Sequence, residues 1–170
     1  MRRYDRRAAV ETTVEAEDHA KARSVAFGIL ADYIFGKNHD RRRIAMTAPV
    51  ATGDGREMAM TTPVETYSAG PDILTMRFFL PAEITPAYAP LPDDQRVRLV
   101  EVPVETLAVL GFSGTWTDEH LLNKREELTR SVGTSTWHAE GRPFWLFYDP
   151  PFAIPFLRRN EVAVRVSRKH

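Results

Sequence analysis

The spacing of apolar and polar positions changes period several times along the chain, and each change marks an element. Val10 to Val14 (Val-Glu-Thr-Thr-Val) joins β-branched residues without a breaker, which predicts a strand. From Asp18 to Gly36 the period becomes helical: Ala22, Val25, Ala26, Ile29 and Tyr33 follow i, i+3, i+4, i+7 spacing. Asp18 suits the N-cap and Gly36 the position just past the helix end. Ile44-Ala45-Met46-Thr47-Ala48-Pro49-Val50 is then echoed by Met58-Ala59-Met60-Thr61-Thr62-Pro63-Val64, with Gly53-Asp54-Gly55 between. The echo predicts two paired strands joined by a turn, each proline at an edge or bulge because it cannot donate to a ladder.

Ile73 to Leu80 predicts a further strand, and the proline-rich Pro81–Asp94 segment a surface connection. Gln95–Val102 alternates, and Thr106–Phe112 is another strand. A second helix follows, capped by Thr117, with Trp116 and Leu121 at the staple positions, Leu121, Leu128 and Val132 as its buried stripe, and Gly133 as its stop. Pro143–Tyr148 and Glu161–Val166 read as strands around the apolar loop Asp149–Phe156. Helices are too few for a βαβ series, so the class is α+β with an antiparallel sheet, two helices and an arrangement compatible with duplicated halves.

The first helix carries more apolar surface than one stripe requires. Phe27, Leu30 and Ile34 form a second stripe about 80–140° from Ala22 around the helix axis. Burying a side chain of this size is worth roughly 1.5–3 kcal/mol, so the stripe calls for cover. More core, a partner protein or a flat apolar ligand would each provide it. Arg23 falls in the same sector, where it suits a ligand with a carboxylate edge or simply snorkels to water.

Composition narrows the chemistry. The 170 residues predict one domain spanning 1–170. Lysine plus arginine number 23 and aspartate plus glutamate 23, so no global field recruits nucleic acid or an anionic membrane. The short runs Arg2-Arg3, Arg6-Arg7 and Arg41-Arg42-Arg43 read as solvated charge. There is no cysteine, which removes disulfides, zinc–thiolate sites, iron–sulfur clusters and thiol nucleophiles together. No stretch approaches a membrane span, and the charged N-terminus has no apolar region behind it, so a cytoplasmic, monomeric protein is expected. No nucleophile elbow, Walker or dinucleotide signature is present, and Arg158-Arg159-Asn160-Glu161 reads as a turn held by side-chain hydrogen bonds. No enzyme is expected.

Several segments together resemble the SOUL haem-binding family. They are Lys37–Val50, Met58–Val64, and the run from Tyr148 through Asp149-Pro150-Pro151 to Pro155-Phe156-Leu157-Arg158-Arg159-Asn160-Glu161-Val162, supported by Tyr33-Ile34-Phe35-Gly36 and Phe112-Ser113-Gly114. The order is kept over nearly the whole chain. The resemblance implies a distorted antiparallel β-barrel with two helices packed on it, built as pseudo-duplicated halves. It implies non-covalent binding of haem or another tetrapyrrole, as carrier, buffer or sensor, on an apolar surface that includes the first helix. The residues it places there are Phe27, Leu30 and Ala31, to which the second stripe adds Ile34 and Arg23. Ser24 and Asp32 stand where a characterised type of member carries basic residues, and Asp32 would repel a propionate. A haem iron needs only one axial donor, for which His19 and His39, flanking the helix, are the candidates, while no histidine pair has zinc spacing. The alternative is another apolar small molecule or a protein partner on the same surface.

Overall fold

The computed structural model describes residues 1–15, 18–39, 64–70, 73–149 and 154–169. Its elements in chain order are β1 (Arg2–Tyr4), β2 (Arg7–Glu15), α1 (His19–Ile34), β3 (Val64–Gly70), β4 (Ile73–Phe79), β5 (Arg98–Val102), β6 (Glu105–Phe112), α2 (Asp118–Gly133), β7 (Trp137–Phe147), a 3-10 turn (Pro155–Leu157) and β8 (Asn160–Arg168). The chain divides into two units, Arg7–Val102 and Met1–Arg6 with Pro103–His170.

The two units have the same topology. In Arg7–Val102 the strands lie in the order β3-β4-β2-β5, every pairing antiparallel. In the other unit the order is β7-β8-β6-β1, again all antiparallel. Each contains a strand–helix–strand–strand run, β2-α1-β3-β4 in one and β6-α2-β7-β8 in the other. The fourth strand differs in origin. It follows the run in the first unit (β5), but in the second it comes from the beginning of the chain (β1). The α+β class, the antiparallel pairing, the two helices and the duplicated half are therefore present as expected.

Each helix covers one face of its own sheet because strand side chains alternate. α1 places Ala22, Ala26, Leu30, Tyr33 and Ile34 against Val10, Leu74, Met76 and Phe78. α2 places Leu128 and Val132 against Ala108, Val162, Val164 and Val166. The caps form as the sequence predicts: Asp18 accepts from the Ala20 and Lys21 amides at 2.8 and 3.1 Å, and Thr117 caps α2 through the His120 amide. Gly36, at φ 109°, takes the left-handed conformation that ends α1.

Three differences from the sequence reading have physical causes. β1 lacks an apolar pattern (Arg-Arg-Tyr), and its place in the sheet is held by long-range partners: Arg2 donates to both carboxylate oxygens of Glu161 at 2.9 and 2.8 Å. β7 begins at Trp137 rather than Pro143, because a register shift between Glu140 and Phe144 accommodates the proline, with Gly141 at φ 84° inside it. β3 begins where the second echo ends, at Val64, and runs on through Glu65 and Thr66. The rest of the echo lies outside the described residues.

Candidate ligand-binding site

The second apolar stripe of α1 is covered mainly by core. Leu30 is 0% and Ile34 1% exposed, so both are interior residues that support the helix rather than contact solvent. Phe27 is half-buried and meets Phe78 edge-on, ring centroids 5.3 Å apart. Arg23, Phe27 and Ala31 are all partly exposed. Together these three form one edge of the buried face, four residues apart along the axis.

Beyond that edge the exposed positions of α1 include a run of small residues: Ala20, Ser24 and Gly28 fall with Ala31 within a sector of about 80°, bordered by the exposed Lys21 and Asp32, and Phe35 is exposed just past the helix end. A Cβ at Gly28 would find no heavy atom within 4 Å, so the helix backbone is open to close approach there. Val25, expected on the core stripe, is 45% exposed. Asp32 does not stand alone: Lys37 Nζ lies 2.8 Å from its Oδ2, in an exposed pair that offsets its charge.

Beneath this face the helix is fixed by Tyr33. Its hydroxyl donates to the Pro90 carbonyl at 2.7 Å, and burial pushes the phenol up to about 12. Asn38 Nδ2 donates to the Tyr33 carbonyl at 3.0 Å, closing the end of α1. Of the two axial candidates, His19 is half-buried at the first position of α1. His39 is exposed, its Nδ1 lying 3.1 Å from Asp93 and 3.2 Å from the Leu91 carbonyl. Among the described residues no group of three or more His, Asp or Glu is arranged to hold a metal ion.

The face of each sheet turned away from its helix carries buried charge, which sequence reasoning missed. In Arg7–Val102, Arg77 donates to both Glu11 and Glu65, and Arg98 reaches the other oxygen of Glu11 at 2.9 Å. In the other unit Glu161 receives Arg2 and the Tyr148 hydroxyl, the latter at 2.6 Å, while Arg165 pairs with Glu105 at 2.8 Å. Burial and the Glu161 carboxylate both hold the Tyr148 proton firmly. The sequence signal was a charge inside an otherwise apolar strand, Arg77 in Leu74-Thr75-Met76-Arg77-Phe78. These buried groups are ion-paired with one another, which fits a structural role. The Arg158–Glu161 cluster is likewise the hydrogen-bonded turn expected: Trp116 Nε1 donates to Asn160 Oδ1 at 2.8 Å, and Arg158 lies over the Trp116 ring at 4.6 Å.

The family model described as SOUL heme-binding protein matches residues 1–165. No curated protein matches the chain. Among solved structures, the EcmrR C-terminal domain superimposes with a TM-score of 0.70 at 10% identity, covering 99% of this chain and 96% of that one. A protein from Listeria innocua described as a hydrolase gives 0.56 at 14% identity, covering 98% and 91%. SAV2435, solved bound to tetraphenylphosphonium, gives 0.52 at 12% identity, covering 98% and 92%. At these identities the structural likeness concerns the fold. No helix among the described residues is long and apolar enough to cross a membrane.

Proposed function

The chain belongs to the SOUL heme-binding protein family, and from that premise we propose that it binds haem or a related tetrapyrrole non-covalently on the outer face of α1, without catalysing a reaction. The observation that carries this reading is the face itself. Arg23, Phe27 and Ala31 border the small-residue surface around Gly28, where nothing lies within 4 Å of a Cβ position. A planar macrocycle needs such a surface, because bulky side chains would hold it off the helix. Phe27 offers a ring for its edge, and Arg23 a guanidinium for a propionate. Leu30 and Ile34 act from beneath, by packing the helix that presents the face. His19, at the first position of α1, and His39, just past its end, remain the axial candidates.

A second reading keeps the face and changes the ligand. Asp32, though paired with Lys37, places negative charge beside the site. The related fold of SAV2435 was solved with an aromatic cation, tetraphenylphosphonium. An apolar or cationic aromatic small molecule on the same face is therefore the alternative ligand class, and a protein partner there the next.

Absorbance titration with hemin separates these readings. The proposal expects a saturable Soret shift that Arg23→Gln weakens about tenfold, the size of one lost charge-assisted contact. A shift absent at all hemin concentrations, with tetraphenylphosphonium binding instead, would transfer the face to the second reading. Steady consumption of hemin under reducing conditions would overturn the non-catalytic assignment.

A further inference from the structure

The unit built on α2 carries an apolar feature unrelated to the α1 face. Ile154, Phe156 and Leu157, on and beside the 3-10 turn, are 52%, 73% and 68% exposed. Three consecutive-region apolar side chains held this far into solvent are unusual outside an interaction surface. The turn is not loose. The Gly114 amide donates to the Pro155 carbonyl at 3.0 Å, and the Leu157 amide closes on the Ile154 carbonyl at 3.0 Å. Arg158 lies over Trp116, and Arg159 over Tyr148 with Cζ 4.1 Å from the ring. The Arg159 amide is bonded to Asp149. The apolar tip is thus clamped in an exposed position, with two guanidinium groups at its base and Asp149 in contact there.

We propose that this turn is a membrane-surface contact, which places Ile154, Phe156 and Leu157 among lipid acyl chains while Arg158 and Arg159 face anionic headgroups. Charge selects the occupant, since two arginines beside an apolar tip complement an anionic surface. Shape selects between occupants. A protruding three-residue tip offers far less area than a stable protein interface buries, whereas a deformable lipid layer accepts a protrusion. The contact is weak and reversible, as one small apolar anchor is. The site lies on different residues from the α1 face, so either assignment stands or falls without the other.

Co-sedimentation of the full chain with vesicles tests it. Vesicles of phosphatidylcholine with about one-third phosphatidylserine are expected to carry the protein down, and phosphatidylcholine alone to do so at least about fivefold less. The double substitution Phe156→Ser, Leu157→Ser should reduce binding about tenfold or more, with an unchanged melting temperature because both side chains are solvent-exposed. Raising NaCl to about 1 M should weaken the phosphatidylserine-dependent part, since screening then acts within about 3 Å. No sedimentation with either vesicle, or sedimentation indifferent to the double substitution, overturns the proposal. Specific retention of a protein by the wild-type turn without vesicle binding also overturns it, and assigns the turn to a protein partner.

Discussion

The two units share one topology and differ most in their helices. α1 buries six of its residues, and its outer positions combine the small Ala20, Ser24, Gly28 and Ala31 with Val25 and the charged Lys21 and Asp32. α2 buries three, Leu121, Leu128 and Val132, and its outer positions are mainly charged, with Asp118, Glu119, Lys124, Arg125, Glu126, Glu127 and Arg130 around the exposed Leu122. A duplicated fold thus keeps one helix as a solvated brace and leaves the other with a surface that a flat apolar molecule can approach. The charged pairs behind the sheets differ as well. Arg77 serves two buried carboxylates and is itself nearly enclosed, whereas Arg165 serves one and is partly exposed.

That contrast has a direct energetic consequence. Arg77→Met removes the partner of buried Glu65 and leaves Glu11 with Arg98, and should lower stability by about 3–5 kcal/mol. Arg165→Met removes the partner of one buried carboxylate, Glu105, beside a partly exposed position, and should cost less, about 1–3 kcal/mol. Urea unfolding measures both; equal costs would remove the distinction between the two units.

Tyr33 tests how firmly α1 is held. Tyr33→Phe leaves the Pro90 carbonyl without its donor and should cost about 1–2 kcal/mol. The phenol also links stability to pH. Its folded-state value is raised to about 12, above the ordinary value of about 10, so the folded protein keeps a proton that the unfolded chain releases. This contribution is complete below pH about 10 and is lost as pH rises toward 12. Tyr148 has a shift of the same sign in the other unit. Tyr33→Phe should therefore flatten part, not all, of the alkaline decline expected in melts between about pH 9 and 12. An unaltered decline would show that Tyr33 is not enclosed as described.

The smallest expected effect concerns the flat face. Gly28→Ala restores helix propensity without a clash and should raise stability by about 0.5–1 kcal/mol. A thermal melt that shows destabilisation would mean that the helix backbone is approached more closely than the open space at Gly28 indicates.

Much of the fold was legible in the sequence because its elements obey local rules. The helical period from Asp18, the Thr117 cap, and the β-branched strands all act over short distances. β1 was not legible, because its three residues pair through Arg2 with Glu161, far away in the chain. The start of β7 was missed because Pro143 signals a break, and only the register shift reconciles it with a strand. In the candidate site, Arg23, Phe27 and Ala31 are where a ligand can meet them, but Leu30 and Ile34 are interior. Periodicity reports which residues are apolar; it does not report which neighbour covers them. The opposite surprise is Val25, which matches the core spacing and yet lies largely in solvent.

The central claim is that the α1 face, and not its α2 counterpart, holds the tetrapyrrole. Hemin titration followed at the Soret band, with the wild-type chain, Ala31→Glu and Thr129→Glu, tests it most directly. Both substitutions fall on solvent-accessible helix positions that tolerate glutamate. The account predicts a saturable shift in the wild-type chain, at least about tenfold weaker binding in Ala31→Glu, where bulk and negative charge meet the macrocycle and its propionates, and unchanged binding in Thr129→Glu. A wild-type chain without a saturable shift, or equal binding by all three proteins, would contradict it.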